Sequence, residues 1–299
     1  MQQGLQKKEF EILSVLTDSP VCNTQRGLAS LTGMSVGSVN KVLKELTDSG
    51  LVREGKITDA GYEALEPYRV KRAIFLAAGF GSRLVPITFN TPKPLVRVNG
   101  TRMIDTLLDA VVAAGIPEII VVRGYLGEQF DQLLYKYPQI RFVDNPLYNE
   151  ANNISSAMCV RHSFANAYVL ESDIILYNKS LIRKYEYNSY CLGFPVTVSD
   201  DWCLSTDASG IITDERVGGK DCYQMIGISY WDAQDGARLA TDLEEVYTSP
   251  GGKERYWEQT ALVYKKENYK IALRECRRED CLEIDTFNEL KKVDKLYAT

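Results

Sequence analysis

The stretch Arg72-Ala73-Ile74-Phe75-Leu76-Ala77-Ala78 is apolar in six of its seven residues and runs directly into Gly79-Phe80-Gly81-Ser82-Arg83. So short an apolar run is a strand buried on both faces; a membrane span needs about 18 such residues. Two glycines two positions apart at the end of a buried strand let the backbone approach a phosphate closely and offer it N–H groups. Arg83 adds a fixed cation, and Lys93 adds a second one behind the rigid Thr91-Pro92. The cluster suits a nucleoside triphosphate whose charge must be gripped and redistributed. It lacks both G-x-x-x-x-G-K-[ST] and the third glycine of G-x-G-x-x-G, which argues against a P-loop ATPase and a dinucleotide site. A plain strand-to-helix turn would account for the glycines alone, but not for the arginine, the lysine and the prolines of one string.

From Val70 onward strands alternate with helices. Strands are expected at 72–78, 118–123, 140–143 and 167–170, and helices at Met103 to Ala114, Leu126 to Tyr137 and Ile154 to His162. This alternation specifies an α/β fold on a mostly parallel sheet, with ligands at the carboxyl ends of the strands. The residues before it read differently. Helical spacing runs from Lys8 to Thr17 and from Asn23 to Leu31, followed by a glycine turn at Gly33. Ser35 is a natural N-cap for an apolar face of Val36, Val39, Val42, Leu43 and Leu46. Two short strands around Glu54-Gly55 and a helix from Asp59 to Leu65, stopped at Pro67, complete the segment. Helix, turn, helix and hairpin is the order of a winged helix-turn-helix, and LASLTGMSVGSVNKVLKELTDSGLV followed by ITDAGYEAL resembles the winged-helix domains of MarR-type regulators. Domains are therefore expected at 1–69 and 70–299.

Charge narrows the partners. The 35 Lys and Arg against 40 Asp and Glu leave a net charge of −5, and residues 1–69 hold eight basic and nine acidic side chains. A protein gripping DNA by bulk electrostatics needs the opposite sign, so DNA is a partner the fold suggests and the charge disfavours. Seven scattered cysteines without a C-x-x-C pair, and an N-terminus rich in acids and amides, point to reduced thiols in the cytoplasm. No apolar run is long enough for membrane insertion. With a single histidine, His162, a bound metal would rest on carboxylates and would be a hard cation such as Mg²⁺.

The string LAAGFGSRLVPITFNTPKPL resembles the signature of sugar-phosphate-type nucleotidyltransferases. The resemblance implies a Rossmann-like, mostly parallel mixed sheet on which an acceptor phosphate attacks the α-phosphorus of a nucleoside triphosphate. It implies nucleotide contacts from Leu76, Ala77, Ala78, Gly79, Gly81, Ser82, Arg83 and Lys93, with Gly124 and Tyr125 near the base. Carboxylates can be sought separately. The apolar strand Tyr168-Val169-Leu170 delivers Glu171 and Asp173 at its end, and Cys281-Leu282-Glu283-Ile284-Asp285 repeats that arrangement. The family's two Mg²⁺ aspartates match Asp173 and Asp285, which makes Arg83, Lys93, Asp173 and Asp285 the expected catalytic set. In Ala151-Asn152-Asn153-Ile154-Ser155-Ser156, side-chain amides such as Asn153 suit a pyrimidine edge and Ser155 a ribose or phosphate; an asparagine N-cap is the alternative.

All three tryptophans lie in the second half, at Trp202, Trp231 and Trp257. Aromatics beside acids suggest a box for a cationic group, while ordinary core packing is the reading for Trp231. Trp202, Tyr230, Glu254, Tyr256, Trp257 and Glu283 form the expected acceptor set. VVRGYLGEQF, ANNISSA, DDWCL, GISYWDA, RYWE and LEIDT together look like bacterial CTP:phosphocholine cytidylyltransferases. That family implies CTP as donor and phosphocholine as acceptor, with phosphoethanolamine and 2-aminoethylphosphonate as related acceptors. The alternatives are a sugar-1-phosphate nucleotidyltransferase using UTP or dTTP and a nucleotide-sensing DNA-binding transcription regulator. A homo-oligomer is left open.

Overall fold

The computed structural model describes residues 4–18 and 24–298, so Cys22 and Asn23, the expected start of the second helix, lie outside the described residues. Contacts divide the chain into two units, Met1–Arg69 with Tyr185–Tyr187, and Val70–Lys184 with Asn188–Thr299.

In the first unit, α1 (Lys7–Asp18), α2 (Gln25–Thr32) and α3 (Val36–Asp48) precede a wing of β1 (Val52–Arg53) and β2 (Lys56–Ile57), followed by α4 (Asp59–Leu65). Thr24 and Ser35 cap α2 and α3 by accepting N–H bonds from Gly27 and Ser38. Gly33, at φ 69°, ends α2 in the left-handed conformation that glycine tolerates best. Phe10, Leu13, Leu28, Val39, Leu46 and Leu65, from the four helices, make the core with Val52 of β1.

The second unit holds β3 (Arg72–Ala77), β4 (Arg97–Val98), β5 (Thr101–Arg102), α5 (Met103–Ala113), β6 (Glu118–Arg123), β7 (Ile140–Asp144), α6 (Ile154–Cys159), β8 (Ala167–Glu171), β9 (Ile174–Leu176), β10 (Tyr190–Thr206), β11 (Ile212–Trp231), α7 (Ala233–Thr248), β12 (Ala272–Glu275), β13 (Cys281–Glu283) and α8 (Phe287–Val293). Seven strands form one sheet in the order β12-β10-β11-β8-β3-β6-β7. Pairings β3–β6, β3–β8, β6–β7 and β10–β12 are parallel; β10–β11 and β11–β8 are antiparallel. The sheet is mostly parallel, as the alternation predicts. The chain leaves β3 toward β6 and β7, then returns to β8 on the other side. This topological switch at the carboxyl end of β3 opens the crevice where such sheets bind ligands.

Strand parity builds two cores. Phe75, Val121, Tyr168, Leu170 and Tyr230 face one layer, and Ile74, Ile120, Val122, Val169 and Trp231 face the other. The helix expected over Leu126 to Tyr137 is a 3₁₀-helix, Gly127–Tyr135, whose buried residues Gly127, Phe130 and Leu133 recur every third position. That period matches three residues per turn, not 3.6. The expected helix over Ile154 to His162 ends as α6 at Cys159, with a 3₁₀ turn Arg161–Ser163 beyond it.

A smaller cluster joins Leu84, Val96, Val98, Met103, Ile175, Ile284 and Leu290. It packs the segment after Arg83 against the segment around Asp285. Leu84 is fully buried, so Leu84→Ala should destabilise the second unit by about 2–5 kcal/mol. Chemical denaturation of both proteins checks this, with an unchanged midpoint as the contrary result.

Candidate active site

The strand β3 ends at Ala77, and Gly81 follows at φ 63°, a backbone geometry in which a side chain is strained. A Cβ there would also fall 2.7 Å from Lys93 Cβ, so this glycine serves both the turn and the approach of Lys93. Gly79, by contrast, faces open space. Thr88 donates its hydroxyl to Gly81 O at 2.9 Å and closes the loop.

Lys93 is the hub. Its Nζ donates to Asp173 Oδ2 at 2.7 Å and to Asp285 Oδ1 at 3.0 Å, and Arg83 Nη2 reaches the same Asp285 oxygen at 2.6 Å. Burial works against the Lys93 ammonium, but the carboxylates of Asp173 and Asp285 outweigh it and hold the group above the usual lysine range. The three segments are also tied through their backbones and side chains. Ser172 Oγ donates to Leu76 O at 2.9 Å, and Ile284 N–H donates to Asp173 O at 3.3 Å. Beyond Asp285, Glu289 Oε2 accepts the N–H groups of both Asp285 and Thr286 at 2.8 Å, and Thr286 Oγ1 accepts from Glu289 N–H, a reciprocal cap that starts α8.

Two cavities meet at this hub. The first is lined by Leu76, Ala77, Ala78, Gly79, Gly81, Ser82, Arg83, Lys93, Asn153, Ser155, Asp173 and Asp285, all expected from sequence. It also takes Phe80 and Tyr148, whose rings lie 5.3 Å apart, and Asn145, whose amide donates to Ser155 Oγ and Ser156 Oγ. Gly124 and Tyr125, expected at the base, are not among its lining residues. They support the wall from behind: Tyr125 N–H donates to Ala78 O at 3.0 Å, and a Cβ on Gly124 would fall 2.7 Å from Tyr148 Cβ.

The second cavity is lined by Arg83, Glu171, Asp173, Asp201, Trp202, Ser229, Tyr256, Trp257, Glu258, Glu283 and Asp285, among others. Trp202 reaches it because the ladder between β10 and β11 slips between Ser199 and Trp202, a bulge that re-aims the strand. Its ring meets Tyr256 edge-on, with centroids 5.1 Å apart and planes at 68°. Two expectations need correcting here. Tyr230 is fully buried in the opposite layer beside Tyr168, because strand parity sends Ser229 and not Tyr230 to the cavity. Glu254 is exposed and contributes its carbonyl to Asn152 Nδ2 at 3.1 Å; the acid on the wall is Glu258.

The acids are crowded. One oxygen each of Glu171, Asp173 and Glu283 lies within 4.8 Å of the others. Burial first, then the charge of Asp173, pushes both Glu171 and Glu283 well above the usual carboxylate range. Burial and the neighbouring Glu215 push Glu258 up to about 8, and burial with Asp214 pushes Glu215 up to about 7. Asp173 Oδ1 and Glu258 Oε2 are buried with no hydrogen-bond partner. An oxygen-only set with too much negative charge is chemically matched to a cation. The sequence offers Asp201 as a carboxylate for an ammonium, and it lines the second cavity; Glu258, Phe80 and Tyr148 are missing from the expected set, because only the paths of the loops after α7, β3 and β7 bring them in.

Because the folded chain binds protons at Glu215 and Glu258 more tightly than the unfolded chain does, the stability these two groups contribute should be fully present below the ordinary carboxylate range and be lost as pH rises toward about 8. A tenfold difference in proton affinity between the folded and unfolded chains is worth about 1.4 kcal/mol. Glu258→Gln cannot ionise and should flatten that decline. Denaturation midpoints from pH 5 to 9 measure it, and identical slopes for the two proteins would refute the assignment.

Comparison with known proteins agrees with this geometry. Residues 72–191 match the family model for nucleotidyl transferases, and residues 5–53 match that for winged helix-turn-helix DNA-binding domains. A 2-aminoethylphosphonate cytidylyltransferase of Lancefieldella rimae is 36% identical over 230 residues, covering 76% of this chain and 93% of that protein. A choline-phosphate cytidylyltransferase of Streptococcus pneumoniae is 31% identical over 228 residues, covering 75% of this chain and 97% of that protein. The solved CTP:phosphocholine cytidylyltransferase from Streptococcus pneumoniae superposes with a TM-score of 0.69 at 31% identity, covering 76% of this chain and 99% of that one. Since nearly the full length of these enzymes is matched on one stretch of sequence and one sheet, the chain belongs to the nucleotidyl transferase family and has cytidylyltransferases as its relatives.

Proposed function

We propose that the second unit transfers CMP from CTP to a small zwitterion that carries an ammonium group at one end and a phosphonate or phosphate at the other. The observation that carries this reading is the meeting of two cavities at Arg83, Glu171, Asp173 and Asp285, one walled by the glycine loop and the other by acids and aromatics, with Lys93 bonded to both aspartates. The triphosphate takes the first cavity, with the N–H groups around Gly79 and Gly81 and the cations Arg83 and Lys93 against its charge. The acceptor takes the second, its anionic end toward Arg83 and Lys93 and its cationic end toward Asp201, Glu258 and Glu283. An acceptor oxygen, already ionised at neutral pH, forms the new bond to the α-phosphorus while the bond to the bridging oxygen breaks and pyrophosphate leaves. No general base is required; positioning and charge stabilisation carry the rate.

Asp173 and Asp285 would hold a divalent cation such as Mg²⁺, and the partnerless Asp173 Oδ1 fits that use. When bound, the cation supplies further neutralisation of charge at the α-phosphate. Lys93 keeps its proton throughout, since both acids hold it as the ammonium.

A primary ammonium suits the second cavity best. It donates hydrogen bonds, and Asp201, Glu258 and Glu283 offer carboxylate oxygens to receive them. The relative from Lancefieldella rimae acts on an acceptor of that type. Phosphocholine is the second reading, favoured by the corner between Trp202 and Tyr256, whose two ring faces suit a group that cannot donate. A sugar phosphate brings no cation to the acids of this wall. For the first unit, the balance of eight basic and nine acidic residues supports a packing or regulatory role over a tight grip on DNA.

Pyrophosphate release from CTP, UTP and dTTP with 2-aminoethylphosphonate, phosphoethanolamine and phosphocholine tests the reading. CTP with 2-aminoethylphosphonate should give the highest kcat/KM; preference for a sugar 1-phosphate would reject it. Trp202→Ala should raise the KM of phosphocholine by about 2- to 30-fold and that of 2-aminoethylphosphonate less. In Asp173→Asn, Lys93 keeps Asp285 as partner, so the fold should survive while kcat falls about 100-fold or more. Near-native turnover in that variant would remove Asp173 from the machinery.

A further inference from the structure

Asn152 and Asn153 stand on the wall of the first cavity, where sequence expectation gives their amides to the nucleotide. Their hydrogen bonds run elsewhere. Asn153 Oδ1 accepts the N–H of Trp257 at 3.0 Å, and Asn153 Nδ2 donates to Glu171 Oε1 at 3.2 Å. Asn152 N–H donates to Lys253 O at 2.7 Å, and Asn152 Nδ2 donates to Glu254 O at 3.1 Å. Four bonds from two consecutive residues thus hold the segment from Lys253 to Trp257, together with Glu171. Tyr256, Trp257 and Glu258 are wall residues of the second cavity, and Glu171 lines both.

We propose that Asn152 and Asn153 are positioning residues for the acceptor, setting the place of the Tyr256–Glu258 wall from the nucleotide side of the site. The proposal rests on the assignment of CTP to the first cavity and the acceptor to the second. Asn153 cannot serve as an ordinary N-cap, because its side chain makes no cap bond to α6 and its backbone is already helical at φ −59° and ψ −17°. Its carbonyl oxygen serves the N–H of Trp257, an aromatic packed against Phe164 and Trp231. Loss of that bond frees the loop at the point where the acceptor's cationic end is received, while the glycine loop, Arg83 and Lys93 stay as they are.

The consequence is unusual for a residue on the nucleotide wall. Asn153→Ala should raise the KM of the acceptor by about 3- to 10-fold, the worth of one or two hydrogen bonds, and leave the KM of CTP within about twofold. Calorimetric titration of CTP into the free enzyme should likewise show little change. Asn152→Ala, which keeps its backbone bond to Lys253 O and loses its side-chain bonds to Glu254 O and Asn153 N–H, should shift the acceptor KM in the same direction by less, since only one of the lost bonds reaches the acceptor wall. A rise in the CTP KM equal to or greater than that of the acceptor would overturn the proposal, as would an unchanged acceptor KM. If Asn153→Ala does not fold, the Asn152→Ala comparison decides by the same criterion. Trp202→Ala serves as the control: if that variant moves the CTP KM instead of the acceptor KM, the cavity assignment itself is wrong. If it moves the acceptor KM and the asparagine variants do not, only the positioning role falls.

Discussion

The ammonium of Lys93 is the constraint on which the rest of the site depends. It is nearly buried and lies between two carboxylates that come from far along the chain. A buried cation is costly unless it is paired and hydrogen-bonded. Asp173 and Asp285 meet that need, and in doing so they are fixed at the carboxyl ends of β8 and β13. The pairing is mutual: Lys93 gives the two acids a fixed cation between them, next to Glu171 and Glu283, which burial and like charge drive toward neutrality. A site this rich in carboxylates is stable only around cations, whether lysine, metal or substrate.

The sheet explains why the hub sits where it does. β3 lies between β8 and β6, so the ends of β3 and β8 open onto one crevice, and Ser172 Oγ ties them at Leu76 O. Leu84, Ile284 and Leu290 then clamp the loop after β3 to the segment carrying Asp285 by apolar contact, beside the bonds of Arg83 and Lys93 to Asp285. Apolar packing and the charged bonds therefore hold the same two segments together. The long β10–β11 ribbon adds the second cavity, and its bulge before Trp202 converts an ordinary ladder into a binding wall.

Much of this is legible in the sequence where the information is local. The string from Leu76 to Lys93 is contiguous, and its glycine, arginine and lysine lie together in the fold. α4 falls on Asp59–Leu65 as its turn signals predict. Asp173 and Asp285 can be found as acids closing apolar runs. What stays hidden depends on register. Tyr230 and Ser229 differ by one position, and only the pairing of β11 with β8 decides which of them meets the cavity. Glu258 replaces Glu254 on the wall because a short 3₁₀ turn, Gly252–Glu254, rotates the loop. The burial at Gly127, Phe130 and Leu133 reads as an α-helical face because an i, i+3 step is common to both helix types.

The hub has a consequence for how the molecule comes together. Lys93 is separated by 80 residues from Asp173 and by 192 from Asp285, so its bonds close loops far longer than those of the surrounding β3–β6 pairing. Contacts of such sequence separation form only after the chain entropy of the intervening segments has been surrendered. The β3–β6 and β6–β7 pairings, which span fewer residues, can therefore form while the charged centre is still open. Three strands of the sheet thus need only short stretches of chain brought together, whereas the charged centre needs the two distant segments that carry Asp173 and Asp285.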